Sequence, residues 1–370
     1  MKAYKVLTIN PGSTSTKVAL FEGDQCLYSR NVSHEANELG KFKTLPEQLP
    51  YRRDTILRLL KEAGISLEDV DVFVGRGGGL LAVEGGTYGV TDLMLEHART
   101  CANGVIHPAA LGPQLAHEFA ETYGAKAMVV NPPDVDELQE LARMTGIKGV
   151  YRIIHLHALN LKETAIRHSR NVMDRAYEEC NYVVCHIGGG ISVSAHCRGK
   201  MIDGYDIVGG EGRVAPTRCG SISVTNLLEY METSGLGVAD VRKLCTRTGG
   251  FVNHVGISDA IELTDRAASG DRYAEMLWDS MIYQIEKCIG SMAAALHGQV
   301  DGILLGGGMV HNQDLVGQLT DACSFIAPVT AYPGEFEMEA MAAGAIRVLE
   351  GEEELKTYTG TPVWDGFDWE

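Results

Sequence analysis

The sequence predicts an α/β protein in which one strand–loop–strand unit occurs twice. In the first unit, a short apolar run leads into a polar loop at residues 10–17, and a second apolar run ends in turn residues at 22–24. In the second unit, the apolar run at 182–185 leads into a glycine-rich loop at 186–190 and a returning run. Elsewhere, strand-like and helix-like segments alternate, as in α/β domains. The units correspond at an offset of 176 residues, which matches Asn10 with His186, Gly12 with Gly188 and Gly23 with Gly199.

Two such units in register indicate a duplicated domain with facing phosphate loops. This is the plan of the actin/Hsp70/sugar-kinase superfamily, which is built from ribonuclease-H-like repeats with an interdomain cleft. A chain of 370 residues, 45% of them hydrophobic, is long and apolar enough to form two cores. The predicted lobes are residues 1–160 with 336–370, and residues 161–335. The alternative is a chance similarity between two ordinary hairpins.

Hydrophobic periodicity and turn residues predict the individual elements. Besides the two hairpins, strands are expected at 70–74, 127–130 and 301–305. Helices are expected at 52–63, 109–123, 134–141, 157–170, 225–231, 238–245, 271–296 and 335–349. Asp134 is predicted to cap the third of these helices, and the helix at 271–296, apolar on most faces, is expected to be buried. The tail at 358–370 receives no assignment.

Charge and composition disfavour several classes of partner. The net charge of −17 makes nucleic acid and anionic membranes poor partners, although a small anion would need only a local basic pocket. No apolar run reaches the roughly 18 residues of a membrane-spanning helix, and the first strand follows the N-terminus without a signal peptide. Nine cysteines without a C-x-x-C pair indicate free thiols in a reducing compartment. We therefore expect a cytoplasmic protein.

Three loops carry residue types that bind phosphate. In the first loop, Gly12 lets backbone approach a ligand, hydroxyl groups follow, and Lys17 adds positive charge. It is not a Walker A loop, because that glycine–lysine pattern and its helix are absent. Arg76 stands between glycines at a predicted strand end, and glycines 306–308 follow another strand. The alternatives are a Ser/Thr-rich hairpin, a surface arginine in a flexible turn, and a plain loop.

Seven short motifs follow one another along the chain. They are I-N-P-G-S-T-S-T-K (9–17), G-R-G-G (75–78), H-A-L-N (157–160), H-I-G-G-G-I-S-V (186–193), G-E-G (210–212), T-R-C-G (217–220) and Y-P-G-E (332–335). In this order they resemble the acetate/butyrate kinase family, and within it the butyrate kinases, over essentially the whole chain. The resemblance implies a two-domain fold and reversible phosphoryl transfer between ATP and a short-chain carboxylate with Mg²⁺. It also implies an acyl phosphate product and a homodimer.

The resemblance assigns roles to the residues that match the family's motifs. Arg76 and Arg218 match the arginines that hold the carboxylate and the migrating phosphoryl group, which suits a bidentate guanidinium. His157 and Asn131 match catalytic positions. The residues matched to substrate and phosphate binding are Asn10, Gly12, Ser13, Ser15, Lys17, Gly78 and His107. Those matched to nucleotide binding are His186, Gly188, Gly189, Gly190, Ser258, Asp259, Gly306, Gly307 and Gly308. Asn10 and Glu337 match a Mg²⁺ site; a helix cap at 258–259 and a solvated helix residue at Glu337 are the alternatives.

Asn131 departs from the family pattern, in which an aspartate linked to the metal stands at this position. An amide can neither accept a proton nor supply charge to Mg²⁺. Three interpretations follow: a slower kinase, a kinase in which Asp134 substitutes, or a member that binds nucleotide or acyl phosphate without turnover. Ala110 and Ile261 also differ from the residues usual in the family, an asparagine and an arginine.

Gly77, Gly78 and Gly79 follow Arg76 where acetate kinases carry bulkier apolar residues. We expect the missing side chains to leave space for extra substrate methylenes, each contributing up to about 0.8 kcal/mol if buried. This favours butyrate or a similar branched acid over acetate. Because a methylene discriminates weakly, the physiological acid stays open.

Overall fold

A computed structural model describes residues 2–369 and divides them into two compact units. The first unit comprises the chain up to Asp136 together with the chain from Phe336, and the second unit is Glu137–Glu335. The units separate earlier than the predicted lobe boundary at 160/161. Residues 137–157 belong to the second unit because they pair with it: the Gln139 amide, for example, donates to the Ile202 carbonyl.

Twelve strands and thirteen α-helices are present among residues 2–369. The strands are β1 Lys5–Pro11, β2 Ser15–Glu22, β3 Gln25–Ser33, β4 Val72–Gly75, β5 Thr87–Gly89, β6 Lys126–Val130, β7 Asn181–Ile187, β8 Ile191–Cys197, β9 Lys200–Asp203, β10 Gly302–Gly307, β11 Val329–Pro333 and β12 Lys356–Thr357. The helices are α1 Ala36–Leu39, α2 Leu49–Glu62, α3 Asp92–Thr100, α4 Leu111–Tyr123, α5 Glu140–Arg143, α6 Ala158–Asn171, α7 Val224–Ser234, α8 Val238–Lys243, α9 Gly250–Val255, α10 Ala260–Ala268, α11 Arg272–Ala295, α12 Gln313–Cys323 and α13 Glu337–Glu350.

The first unit is built on a seven-stranded sheet in the order β12-β5-β6-β4-β1-β2-β3. Strand β1 is antiparallel to β2 and parallel to β4, so it lies inside the sheet with a neighbouring strand on each side. Leu7 and Ile9 of β1 and Phe73 of β4 pack with Leu115 and other residues of α2 and α4 in one core. Helix α13 packs on β1, β4 and β6. It covers the other face of the sheet, toward which the alternate side chains of these strands point. Strand β1 therefore ends, at the first loop, between two helical layers.

The second unit repeats this plan on a five-stranded sheet in the order β11-β10-β7-β8-β9. Strand β7 forms an antiparallel hairpin with β8 and pairs in parallel with β10, as β1 does with β2 and β4. Residues of α11 and α12, among them Ile285 and Leu315, form a core with Val183 and Ile303. Helix α6 packs against β7 and β10. The predicted repetition of the strand–loop–strand unit is thus present in the fold.

The register of the hairpins corrects one detail of the predicted correspondence. Asn10 lies opposite Lys17 in the first hairpin, whereas His186 lies opposite Ser192 in the second. With Asn10 and His186 in equivalent positions, the second loop is one residue shorter. The offset therefore falls from 176 in the leading strands to 175 in the returning strands, and Gly199 corresponds to Asp24 instead of Gly23.

The prediction of a helix that begins at Asp134 is wrong. Residues 134–139 are not helical, and only the short helix α5 follows. The chain pairs here with a distant loop: the amide of Val83 donates to the carbonyl of Asp134, and that of Asp136 donates to the carbonyl of Val83. The Asp134 side chain is buried and accepts from the amide of Asn103 instead of capping a helix. Tertiary pairing has overridden the local capping signal.

Helix α11 differs from its prediction, and the structure assigns the tail, for which no prediction was made. Helix α11 buries one face, including Trp278 and Met281, but exposes Tyr273, Met276 and Tyr283, so it covers a sheet on one side only. Residues 358–369 of the tail belong to the first unit, where the Tyr358 hydroxyl accepts from the Leu81 amide and the Val363 amide donates to the Ala82 carbonyl, both at 3.0 Å. Within residues 2–369, no helix combines the length and the hydrophobicity required to cross a membrane.

Candidate active site

Three side chains predicted to act on substrate and metal lie together in the first unit. Asn10, at the end of β1, donates from Nδ2 to Oε2 of Glu337 at 2.6 Å. The other carboxylate oxygen of Glu337, at the start of α13, lies 3.9 Å from Nε of Arg76. Glu337 is therefore not a solvated helix residue: it bridges the first loop and the arginine that follows β4.

Arg76 is a buried cation on a tightly packed strand end. Its amide donates to the Ile9 carbonyl at 2.8 Å, which places it beside the first loop. A Cβ at the preceding Gly75 would lie 2.1 Å from the Gly112 carbonyl oxygen, so only glycine fits there. Burial lowers the pKa of Arg76, while the negative charges of Glu337 and Asp134 oppose the shift. Such a guanidinium gains from binding an oxyanion.

The Asn131 side chain is engaged in holding a loop. Asn131 has φ of +38°, a left-handed conformation that asparagine tolerates. Its Oδ1 accepts from the Gly86 amide at 2.8 Å, and its carbonyl accepts from Nη1 of Arg76 at 3.3 Å. The residue is buried. Asn131 thus orients Arg76 from behind, and Asp134 is the carboxylate in its neighbourhood that acts electrostatically on Arg76.

The glycines after Arg76 do not leave the open space that was expected to admit extra substrate methylenes; that expectation is wrong. A Cβ at Gly77 would lie 2.6 Å from Cβ of Pro132. A Cβ at Gly78 would lie 3.2 Å from Cβ of Ala109, in the 3₁₀ turn that His107 caps by accepting from the Ala109 amide. Neighbouring side chains, and at Gly78 also backbone, already occupy these positions. The glycines allow close packing and bring Gly78 next to the turn that follows His107.

In the second unit, two histidines and an arginine surround the glycine-rich loop. The rings of His157 and His186 stack with centroids 4.0 Å apart. Nδ1 of His157 is hydrogen-bonded to Oγ of Ser192 at 2.8 Å, which fixes the ring. A Cβ at Gly190 would lie 1.8 Å from Nη1 of Arg218 and 3.3 Å from Cε1 of His157. Gly190 is therefore glycine because Arg218 and His157 pass directly over it.

Arg218 has hydrogen-bonding capacity to spare. Within the described part of the chain, its buried Nε and Nη1 atoms have no hydrogen-bond partner. Burial lowers the pKa of the guanidinium, and the negative charge of Asp206 opposes the shift. A buried donor without a partner costs about 1–3 kcal/mol. An anion that accepted hydrogen bonds from Nε and Nη1 would remove that cost.

A cavity of about 650 Å³ opens beside the glycine-rich loop of the second unit. Four of the residues predicted to bind nucleotide line it: Gly188, Gly189, Ser258 and Gly308. Its other walls include Pro216, Ile261, Thr264, Trp278, Met309 and Glu335. Apolar walls with a few polar groups and this volume suit a small organic ligand.

Five residues predicted to bind nucleotide do not line this cavity: His186 and Gly190, described above, and Asp259, Gly306 and Gly307. Asp259 caps α10 by accepting from the Ile261 amide at 2.7 Å, which is the alternative that the sequence left open. Gly306 and Gly307 lie within β10. Gly307 has φ of +101°, and its Cβ would lie 2.4 Å from the Ile187 carbonyl oxygen, so it permits close strand packing.

The predicted Mg²⁺ residues form a small donor set. Among residues 2–369, no cluster of three or more His, Cys, Asp or Glu side chains could hold a metal ion. One carboxylate, Glu337, and one amide, Asn10, touch each other at 2.6 Å. Mg²⁺ is commonly held by one or two carboxylates with water and substrate phosphates. The pair therefore fits a Mg²⁺ ion that arrives with phosphate.

Two residues of the site region were not singled out from the sequence. Ser192 lies inside a recognised motif, but its partner His157 immediately precedes α6, 35 residues away in the chain. Arg52 is buried at the start of α2 and binds the first loop. An arginine at an otherwise apolar position of a helix was the available signal.

Comparison with known proteins gives concordant matches. A family model described as the Acetokinase family matches residues 162–325. Butyrate kinase 2 from Clostridium acetobutylicum is 41% identical over 355 residues, covering 96% of this chain and 99% of that protein. A probable butyrate kinase from Clostridium botulinum is 39% identical over 356 residues, covering 96% and 100%.

Solved structures bear on the fold alone. The acetate kinase of Porphyromonas gingivalis superimposes with a TM-score of 0.77 at 21% identity, over 94% of this chain and 100% of that one. A propionate kinase from Francisella tularensis gives a TM-score of 0.70 at 16% identity, over 92% and 98%. The predicted fold class is confirmed.

Proposed function

Because this chain belongs to the acetokinase family, we propose that it transfers the terminal phosphoryl group of ATP to a short-chain carboxylate, reversibly, giving an acyl phosphate and ADP. Butyrate or a similar short or branched acid is the proposed acceptor. The observation that carries the proposal is the 41% identity to a butyrate kinase over nearly the full length of both chains. Identity of this extent does not favour the alternative of a binding protein without turnover.

In this proposal Arg76 holds the carboxylate. Its guanidinium is buried, flanked by Glu337 and supported from behind by the Asn131 carbonyl. A planar, permanently charged guanidinium binds a carboxylate through two parallel hydrogen bonds. Because the fold fixes its position, Arg76 can orient the acid without reorganisation during the reaction.

Arg218 and His157 are proposed to stabilise the phosphoryl group as it moves. Phosphoryl transfer requires positioning and positive charge more than covalent participation by the protein. The unpartnered Nε and Nη1 of Arg218 supply donors for this purpose. If Nδ1 of His157 accepts from the Ser192 hydroxyl, the proton resides on Nε2, and His157 can donate it in a hydrogen bond to a phosphoryl oxygen.

The nucleotide and metal are assigned to the remaining features. The 650 Å³ cavity is proposed to take the adenosine part of ATP, with glycines 188 and 189 beside its phosphates. Asn10 and Glu337 would hold Mg²⁺, which neutralises phosphate charge when bound. The first loop, through Ser13, Ser15 and Lys17, is proposed to contact phosphate oxygens.

We also propose a cytoplasmic homodimer. The nine cysteines are all unpaired in the structure, as expected in a reducing compartment. Light scattering of the purified protein tests the dimer, and fractionation of cells tests the location.

A hydroxamate assay tests the activity. Protein is incubated with Mg-ATP, hydroxylamine and acids of increasing length, and acyl phosphate is detected as hydroxamate. We expect a signal with butyrate or a similar acid, and no signal across the series would refute the proposal. Arg218→Ala should lose at least about 100-fold in kcat with an unchanged melting temperature. Arg242→Ala, which alters an exposed arginine of the same unit, is the control and should retain activity.

A further inference from the structure

Arg52, on the first turn of α2, is a fully buried arginine that binds the first loop from behind. Its Nη2 donates to the Gly12 carbonyl and its Nη1 to the Ser15 carbonyl, both at 2.9 Å. Nη1 also donates to Oγ1 of Thr16 at 2.9 Å. Nε and Nη2 donate to a single oxygen, Oε1 of Gln48, at 3.1 and 3.0 Å. All its partners are neutral.

This arrangement removes carbonyl oxygens from the loop's ligand-binding surface. A third carbonyl, that of Thr14, accepts from the His34 amide at 2.7 Å. Carbonyl oxygens repel phosphate, so a phosphate loop must direct them elsewhere and present donors. With the carbonyls of residues 12, 14 and 15 engaged inside the unit, the exposed Ser13 and Thr14 are left to meet a ligand.

The charge of Arg52 is also uncompensated. Among residues 2–369, no carboxylate forms an ion pair with it. Burial lowers its pKa to about 10, so it remains charged at neutral pH. The neighbouring His34 is neutral there, because burial lowers its pKa to about 4. A single positive charge thus lies directly beneath the loop, and in a poorly screened interior it attracts anions above it.

We propose that Arg52 is a positioning residue that fixes the loop at residues 12–15 in a phosphate-binding shape and supplies buried positive charge to the phosphate bound there. The inference rests on the proposed function, because it takes the first loop to contact phosphate. Arg52 itself does not touch the substrate.

Gln48→Glu separates the charge from the geometry. Glutamate keeps the oxygen that accepts from Arg52 and is nearly isosteric, but it neutralises the guanidinium. We expect KM for butyryl phosphate to rise about fivefold, KM for butyrate to change less than twofold, and the melting temperature to stay the same or rise. The effect should follow ligand charge, which a purely structural role would not produce. Arg58→Gln makes the same change in net charge at an exposed position of α2 and should leave both constants unchanged.

Substitutions of Arg52 test the positioning part. Arg52→Met should lower kcat/KM for butyryl phosphate about 100-fold. Arg52→Lys keeps the charge but cannot make the same hydrogen bonds to both carbonyls, so its kcat/KM should lie between those of Arg52→Met and wild type. Folded Gln48→Glu and Arg52→Met proteins with wild-type KM for butyryl phosphate would overturn the inference. If Arg52→Met does not fold, Gln48→Glu decides.

A failure of the proposed function is distinguishable from a failure of this inference. If the wild-type protein shows no turnover, the proposed activity fails. Calorimetric titration with butyryl phosphate then replaces kinetics: weaker binding by Gln48→Glu than by wild type supports the role of Arg52, and equal binding refutes it.

Discussion

Gly190→Ala is the sharpest test of the second unit's site, because the added methyl group meets the catalytic candidates directly. The new Cβ would lie 1.8 Å from Nη1 of Arg218 and 3.3 Å from Cε1 of His157. Ordinary contact begins near 3.4 Å, so the guanidinium end must move by roughly 1.5 Å. The substitution displaces Arg218 without removing its charge.

The cost to the fold should be small and the cost to activity large. Nη1 is the free end of a flexible side chain, and Gly190 does not have a positive φ, so alanine is tolerated by the backbone. We expect the free energy of unfolding to change by less than about 1 kcal/mol. A misplacement of about 1 Å in a catalytic group costs on the order of 100-fold, and we expect kcat to fall at least that much.

The assay is hydroxamate formation from butyrate and Mg-ATP, alongside thermal unfolding of the same preparation. Gly290→Ala is the matched control, since it adds the same methyl group to the same unit at a position with nothing within 4 Å. It should keep full activity. A Gly190→Ala protein with wild-type kcat would refute the assignment of Arg218 to the moving phosphoryl group.

Three further predictions concern the first unit. Asn131→Asp keeps the acceptor for the Gly86 amide and the tolerated φ, so it should fold normally; a several-fold rise in kcat would show that the missing carboxylate limits the rate, and an unchanged kcat would refute that. For His34, the lowered native pKa of about 4 means that the unfolded chain takes up a proton first as pH falls. The contribution of neutral His34 to the free energy of unfolding is therefore complete above about pH 6.5 and is lost as pH falls toward 4. His34→Gln should make the free energy of urea unfolding depend less on pH in this range. An unaltered pH dependence would contradict the lowered pKa of His34. Tyr358→Phe removes the hydroxyl that accepts from the Leu81 amide at 3.0 Å and should lower the free energy of urea unfolding by about 1 kcal/mol. An unchanged free energy of unfolding would show that this hydrogen bond does not stabilise the fold.

The sequence predicted features that depend on neighbouring residues in the chain. Both hairpins, the helix that became α6 and the helix that became α13 lie within a few residues of their predicted bounds. Apolar runs, capping residues and glycine turns specify such elements locally. The family motifs lie within or beside these elements, which is why Arg76 and Glu337 could be named before the structure brought them to 3.9 Å.

The features that the sequence did not predict depend on contacts between distant segments. Asp134 carries a good capping side chain, but its backbone carbonyl accepts a hydrogen bond from the amide of Val83, 51 residues away in the chain. Gly77 has no side chain, and the sequence therefore predicted open space beside it. In the structure, Pro132 from another loop occupies that space. Arg52 was not singled out, and the loop carbonyls that it binds lie 37 and 40 residues away in the chain. In each case the deciding partner is remote in the chain, and a single sequence does not identify it.

The two hairpins show why duplication of a motif predicts backbone better than chemistry. Residues opposite each other on adjacent antiparallel strands place their side chains on the same face. In the first hairpin the partner of Asn10 is Lys17, so a cation stands beside the loop residue that contacts Glu337. In the second, the partner of His186 is Ser192, which binds His157 and stacks a second imidazole on the first. One equivalent strand position thus carries a charge in one unit and orients a histidine in the other. The shortening of the second loop by one residue makes that position Ser192 and not Val193, so the chemistry of each loop follows from its length as well as from its glycines.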